Sequence, residues 1–361
     1  MNDEAARAQP SKSTPQTRAR PMPPPGFVLL VAVLAVSWAG PLIRFTQAPA
    51  LAVAMWRLVF SVAFIAVVLV ARGGLRQAFR LTGAEWLLAV VSGVLLAAHF
   101  WSWIASIGLT SVASSVVLVN TQPIVVALLS VMFLGERPTR LQVLGIVVGV
   151  GGAAVIGWGD FGRGAAPFLG DALALAGALF VSGYYVIGRR LRQRLDLWVY
   201  IGVVYGIAAL ALVLAVMLHP SVHMTGYATR DWLVFLALAA GPMMLGHTGV
   251  NYALRYIPAY VANLALLGEP VGATLLAWWL PGIREVPSPQ TVAGGSLILL
   301  GIARGVIRSR WTGARRGRAT SRGRRGGGDG LDVKRRAAAC SRPVDPWSAA
   351  GRTDTLGRGR T

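Results

Sequence analysis

Ten apolar runs, each close to the length that crosses a bilayer, fill the chain from residue 26 to 307 and leave little room for any other architecture. They fall near 26–43, 51–70, 86–107, 112–133 and 141–157, then near 168–187, 197–218, 232–253, 260–280 and 290–307. A helix needs about 20 apolar residues to span the hydrocarbon core. The runs are continuous rather than alternating in polarity, which selects helices over a β-barrel as the way to satisfy backbone groups in lipid. Charged residues make up only 14% of the chain, against roughly a quarter in soluble domains. Between Gly26 and Ile307 there are sixteen arginines, eight acids and no lysine, most of them at the ends of runs. The chain therefore reads as an all-α polytopic membrane protein with ten transmembrane helices.

A motif written twice organises these spans. Asn120, Gln122 and Pro123 precede Leu134, Gly135, Glu136 and Gly145, while Gly268, Glu269 and Pro270 precede Glu285 and Gly294. Pro123 and Pro270 are 147 positions apart, and each glutamate stands nine residues before its glycine. The chain is thus expected to be an internal duplication of 26–157 and 168–307, with five spans in each copy. An odd number of spans makes the second copy enter the membrane from the opposite side, so the copies are expected to be inverted repeats. Arginine placement sets the orientation. Arg72, Arg76, Arg80, Arg137, Arg140, Arg189, Arg190, Arg192, Arg194 and Arg255 share one side, whereas Arg44, Arg163, Arg230 and Arg284 stand singly on the other. Positive charge collects on the cytoplasmic side, which places both termini in the cytoplasm of a cell-membrane protein.

The proline-rich residues 1–25 and the Arg/Gly-rich residues 308–361 read as disordered cytoplasmic tails. The first span reads as retained rather than cleaved as a signal, because cleavage would destroy the five-plus-five pattern. The C-terminal tail holds fifteen of the 35 basic residues, and anionic lipid is its natural contact. No stacking platform or motif points to nucleic acid. Cys340 is the single cysteine, so neither an internal disulfide nor a cysteine metal cluster is available.

Polar groups at membrane depth are the candidate site, since their burial is costly without a purpose. Glu269 lies well inside the ninth run beside Pro270, where its carboxyl could exchange a proton; the competing reading is an acid paired with a neighbouring helix. The matching place in the fourth run carries Asn120 and Gln122 beside Pro123. His99 and His247 are nearly repeat-equivalent and suit proton coupling, although each alone is more often a hydrogen-bonded packing residue. Asn251 shares a helical face with His247, and Trp103 shares one with His99. Asn263 lies one heptad before Pro270. Arg57, six residues into the second run, either snorkels to the interface, the reading its position favours, or meets an anionic substrate or buried acid. Trp38 and Trp103 could wall a cavity, but membrane anchoring is the commoner use of such residues. Pro41, Pro123, Pro242 and Pro270 are expected to break their helices, as in transporters built from repeats. Gly145 with Gly149 and Gly301 with Gly305 form small-xxx-small packing pairs. Glu136 and Glu285 read as helix-end residues pairing with Arg137, Arg140 or Arg284.

The stretch Thr110–Gly157, with Asn120-Thr121-Gln122-Pro123 and Leu134-Gly135-Glu136, resembles the EamA domain of the drug/metabolite transporter superfamily, and the second half resembles it again. Ser37-Trp38, Arg57 and the run Tyr184 to Arg190 are similar to the family's flanking patterns. The resemblance implies a permease with two EamA repeats, a secondary transporter that works by alternating access and exports amino acids, metabolites or drugs. One departure is the turn from Pro270 to Glu285, which is fifteen residues against thirteen from Pro123 to Glu136 and carries Pro281. The alternatives are a membrane-embedded enzyme or a passive channel. Against them, the spans hold no acid pair, metal-spaced constellation, nucleophilic cysteine, phosphate loop or charged ring. No cofactor or metal is implied, and the expected partners are a small-molecule substrate and the bilayer.

Overall fold

The computed structural model describes residues 23–74, 76, 80–158, 164–279 and 286–307. The expectations for the C-terminal tail, Cys340, Arg163, Pro281, Arg284 and Glu285 lie outside these residues, as do those for residues 1–22. The described residues form helices and no strands. In chain order they are α1 (Pro25–Val36), α2 (Ala39–Arg44), α3 (Ala50–Ala71), α4 (Gly83–Leu109), α5 (Val112–Val119), α6 (Gln122–Leu129) and α7 (Arg140–Gly157). Then come α8 (Pro167–Leu191), α9 (Leu197–Leu218), α10 (Thr229–Leu238), α11 (Thr248–Ala253), α12 (Ala259–Leu266), α13 (Gly268–Trp279) and α14 (Pro289–Ile302). Wider π-helical turns occupy Ser130–Leu134, Ala239–His247 and Ala303–Ile307.

Among the described residues, nine helical stretches are long and apolar enough to cross a membrane: Pro25–Arg44, Ala50–Ala71, Gly83–Leu109, Ser114–Leu134, Arg140–Gly157, Pro167–Leu191, Leu197–Leu218, Thr229–Ala253 and Ala259–Leu276. They coincide with the first nine apolar runs. The tenth run is helical as α14, which is shorter, at 14 residues.

Local chemistry sets the helix ends. Thr82 with Glu85 and Thr139 with Gln142 close reciprocal capping boxes at the starts of α4 and α7, satisfying backbone donors that the first turn leaves unpaired. Ser111, Asp196 and Ser288 cap α5, α9 and α14. Gly135 ends the fourth span in the left-handed region, with φ 65°, a conformation that suits glycine. The amides of Gly135 and Glu136 both then return to the carbonyl of Ser130. The Leu134-Gly135-Glu136 motif is therefore a helix stop that delivers Glu136 into the turn beyond.

Each span has two faces. Leu29, Leu58, Leu96, Val181, Val204 and Phe235 are buried, while Leu30, Val67, Leu87, Leu179, Leu210 and Leu233 stand exposed at the outer surface, where lipid is the apolar solvent. Helices α7 and α14 meet through glycine. A Cβ built on Gly145 would stand 2.7 Å from the carbonyl oxygen of Gly301, and one on Gly301 would stand 2.6 Å from that of Gly145. Gly152 and Gly294 repeat the relationship at 2.6 and 2.5 Å. The backbones approach at distances that any side chain would block.

Candidate functional site

Four spans are broken or widened where they pass the interior. In the first, the chain turns at Ser37 and Trp38 between α1 and α2, and Pro41 follows without an N–H to continue the ladder. In the fourth, the turn at Asn120 and Thr121 separates α5 from α6, and Pro123 occupies the first turn of α6, where a missing donor costs nothing. In the ninth, Leu267 separates α12 from α13, and Pro270 again sits in the first turn. In the eighth, Pro242 lies inside the π-helical turns.

The broken spans interlock in a paired way. Ser37 Oγ donates to Val33 O at 2.8 Å and to Glu269 O at 3.4 Å, so the break in the first span touches the break in the ninth. Ser182 Oγ donates to Ala178 O at 2.6 Å and to Gln122 O at 3.3 Å, joining the sixth span to the break in the fourth. The serines are 145 positions apart and their acceptors 147. Each contact joins the two halves of the chain, with the serine and the acceptor exchanged between them.

Between these breaks lies a cavity of about 40 Å³, room for a few waters and no more. Its polar wall comprises Arg57 from α3, His99 from α4, Gln122 from α6, Tyr185 from α8, His247 from the π-helical turns and Glu269 from α13. Val36, Val119, Val181 and Leu266 supply an apolar wall, and Trp103 an aromatic one. The histidines come together with ring centroids 6.2 Å apart. His99 Nδ1 meets Gly177 O at 2.9 Å, and His247 Nδ1 meets the Tyr185 hydroxyl at 3.2 Å. Trp103 stacks on His99 at 6.2 Å with its plane 3° from parallel.

Arg57 is the most unusual group. It is 1% exposed, and its guanidinium lies over the Phe100 ring at 4.0 Å from the centroid, an attraction that a ring face offers a cation. Nε, Nη1 and Nη2 have no hydrogen-bond partner among the described residues. Trp103 Nε1 is likewise unpaired. Glu269 interacts with Arg57 electrostatically across the cavity, without a hydrogen bond. Among the described residues, no group of three or more His, Cys, Asp or Glu side chains could hold a metal ion.

Residues 25–158 and 168–304 each match the EamA-like transporter family. The chain belongs to this family. It is similar to a probable terminal-alkyne amino-acid exporter of Streptantibioticus cattleyicolor, 32% identical over 58% of this chain and 67% of the relative. It is also similar to the aromatic amino acid exporter YddG of Ancylobacter novellus, 26% identical over 51% of this chain and 63% of that protein, less than two thirds of its length. A solved crystal structure shares the fold with a TM-score of 0.66 at 23% identity, covering 80% of this chain and 98% of its own. This EamA protein is a multi-pass membrane transporter and not an enzyme.

Of the polar residues singled out in the EamA sequence, Arg57, His99, Gln122, His247, Glu269 and Trp103 share the cavity. Asn251 lies behind His247, where its Nδ2 donates to the hydroxyls of Tyr184 and Tyr205. Asn120 and Asn263 are buried and turn back to the carbonyls of Val116 and Ala259 in their own helices. Trp38 does not share a wall with Trp103, the less favoured of the two readings of these tryptophans. It lines a separate apolar groove between the first and eighth spans, with Leu34, Leu42, Gly241 and Leu245.

Two further expectations are corrected. Arg57 does not snorkel: the Trp56 indole donates to Met224 O and packs on Trp232, so chain covers the end of α3 above it. Glu136 pairs with Arg189 at 2.8 Å rather than with Arg137 or Arg140. Sequence reading missed Phe100 and Tyr185 as parts of the site. Two adjacent tyrosines deep in one span, each with a hydroxyl that needs a partner when buried, were the available signal.

Proposed function

We propose that this protein is a secondary transporter that exports a small metabolite, amino acids included, across the cytoplasmic membrane by alternating access, with Glu269 as the proton-coupling or substrate-contacting group. The observation that carries this reading is the pair of contacts Ser37–Glu269 and Ser182–Gln122, which bring one broken span from each half against the central cavity. Broken helices meeting at a repeat interface are where transporters bind their cargo. In this reading α14 with the turns Ala303–Ile307 is the tenth span, the halves are inverted five-helix repeats, and the arginine asymmetry puts both termini in the cytoplasm. The exporter names of the relatives support the direction. A cavity of about 40 Å³ is too small for a metabolite, since small-molecule pockets run to several hundred Å³. Cargo therefore enters an opened form, and this arrangement is the closed one between openings.

The test is flux. Liposomes carrying the full chain and an imposed pH gradient are given labelled amino acids, sugars and organic cations. The expected result is saturable, trans-stimulated uptake of one class, lost or made insensitive to the gradient by Glu269→Gln. Non-saturable flux would make the protein a channel, and unchanged gradient dependence in Glu269→Gln would remove that residue from coupling.

A further inference from the structure

We infer that an acyl chain of a bilayer lipid is seated in the groove between the first and eighth spans, where it backs the wall that Pro242 presents to the central cavity. The site requires only that the protein lies in a bilayer, so it stands apart from the transport reading.

The groove follows from how the two spans part and rejoin. Just beyond the first span, Thr46 Oγ1 donates to Asp231 Oδ1 in the first turn of the eighth at 2.7 Å. Deeper in the membrane, small residues bring the backbones together. A Cβ built on Gly246 would stand 2.5 Å from Val36 Cγ1, and one on Gly249 would stand 3.1 Å from Ala32 Cβ, the close approach that glycine allows between spans. Between these contacts lie the turn at Ser37 and Trp38 and the π-helical turns around Pro242. Here the spans separate, and a Cβ on Gly241 would meet nothing within 4 Å. The groove has a volume of about 520 Å³, against about 40 Å³ for the central cavity.

Depth and chemistry name the occupant. At 1.5 Å per residue, Leu42 and Val31 lie roughly 3 and 20 Å from the Arg44 end of the first span, the depth of about one leaflet of a 30 Å hydrocarbon core. Leu34 and Leu245 line the groove and are each 56% exposed. The groove is thus continuous with the outer surface on which Leu30 and Leu233 face lipid. Among its described lining residues, Trp38 alone carries a polar side-chain atom. Water would find no set of partners there, and a charged group no counter-charge. A hydrocarbon chain matches depth, shape and polarity together, and the bilayer supplies it at high concentration.

The consequence of a seated chain lies in a shared wall. Pro242 lines both the groove and the central cavity. On the first span, Ala35 and Trp38 line the groove while their neighbours Val36 and Ala39 line the cavity. One layer of residues therefore separates hydrocarbon from the polar interior. That layer is built where both helices are interrupted, and the chain packs behind it as a core side chain would.

The test places the full chain, one copy per disc, in phosphatidylcholine nanodiscs doped with a phosphatidylcholine whose acyl chain carries a diazirine. Irradiation and peptide mass spectrometry then give the adduct yield along each lipid-facing surface. Yield at residues 31–42 and 237–245 is expected to exceed that at the open faces around Leu87, Leu179 and Leu210 by roughly 5- to 10-fold, equivalent to about 1–1.4 kcal/mol of preference. Gly241→Leu, whose side chain enters the groove, should bring the groove to the level of those faces and leave them unchanged. Equal yields in the wild type overturn the inference, and this comparison needs no variant to fold. An excess that survives Gly241→Leu overturns it too. An excess seen in single-copy discs but abolished in protein-crowded liposomes would assign the groove to a second copy of the chain, which also overturns the lipid site.

Discussion

The hydroxyl of Ser182 reaches the main-chain carbonyl of Gln122 at 3.3 Å while also bonding its own helix at Ala178 O. Ser37 does the same with Glu269 and Val33. Each hydroxyl thus adds a bond from one helix to a main-chain carbonyl in the first turn of a helix that follows a break. Ser37→Ala and Ser182→Ala are therefore expected to cost similar amounts, about 1 kcal/mol each, measured by denaturation in mixed micelles. A large cost at one position and none at the other would mean that the two contacts are not equivalent.

Glu136 and Arg189 tie the end of the fourth span to the end of the sixth, and Arg189 Nη1 also donates to Leu254 O at the end of the eighth. Arg189→Ala should consequently destabilise more than Glu136→Ala. A double-mutant cycle should return a coupling of about 1 kcal/mol or less, because both side chains are partly exposed. Additive effects would show that the pair contributes no net interaction.

The glycine contact between α7 and α14 offers an internal control. Gly151 has open space where a Cβ would stand, whereas its neighbour Gly152 has Gly294 O at 2.6 Å. Gly151→Ala is expected to be neutral. Gly152→Ala should lower the thermal midpoint in detergent by the equivalent of about 1–3 kcal/mol, because it overpacks a backbone contact. Equal midpoints would refute the close approach.

At the start of the eighth span, Asp231 accepts from Thr46 Oγ1 at 2.7 Å, Gln47 N at 3.4 Å and Ala228 N at 3.3 Å. It thus caps its own helix and holds the loop between the first two spans. Asp231→Ala should cost about 1–2 kcal/mol, more than Thr46→Val, which removes one of the three bonds. The order of the two denaturation midpoints checks this.

The fold was legible because lipid allows few alternatives. Nine apolar runs became nine candidate spans at nearly the expected boundaries, and the breaks in the first, fourth and ninth lie within a few residues of Pro41, Pro123 and Pro270. The site was legible where polarity conflicted with depth, as at Glu269, His99 and His247. It was illegible where the answer depended on another segment. Depth along its own helix leaves Arg57 free to snorkel, and nothing local reveals that Met224 and Trp232 close over that end. Sequence proximity pairs Glu136 with Arg137 or Arg140, but its helix stop directs it to a partner 53 positions away. Phe100 gives no signal in the sequence, because a phenylalanine in a membrane span is distinguished only by the cation on its face.

That pairing of Arg57 with Phe100 has a mechanical meaning. A salt bridge or bidentate hydrogen bond fixes an arginine's heading as well as its place. A ring face attracts the charge and is nearly indifferent to the direction in which the N–H bonds point. The guanidinium is thus moored but able to swivel, and a group so held can turn as the walls around it shift without first breaking a hydrogen bond to the protein.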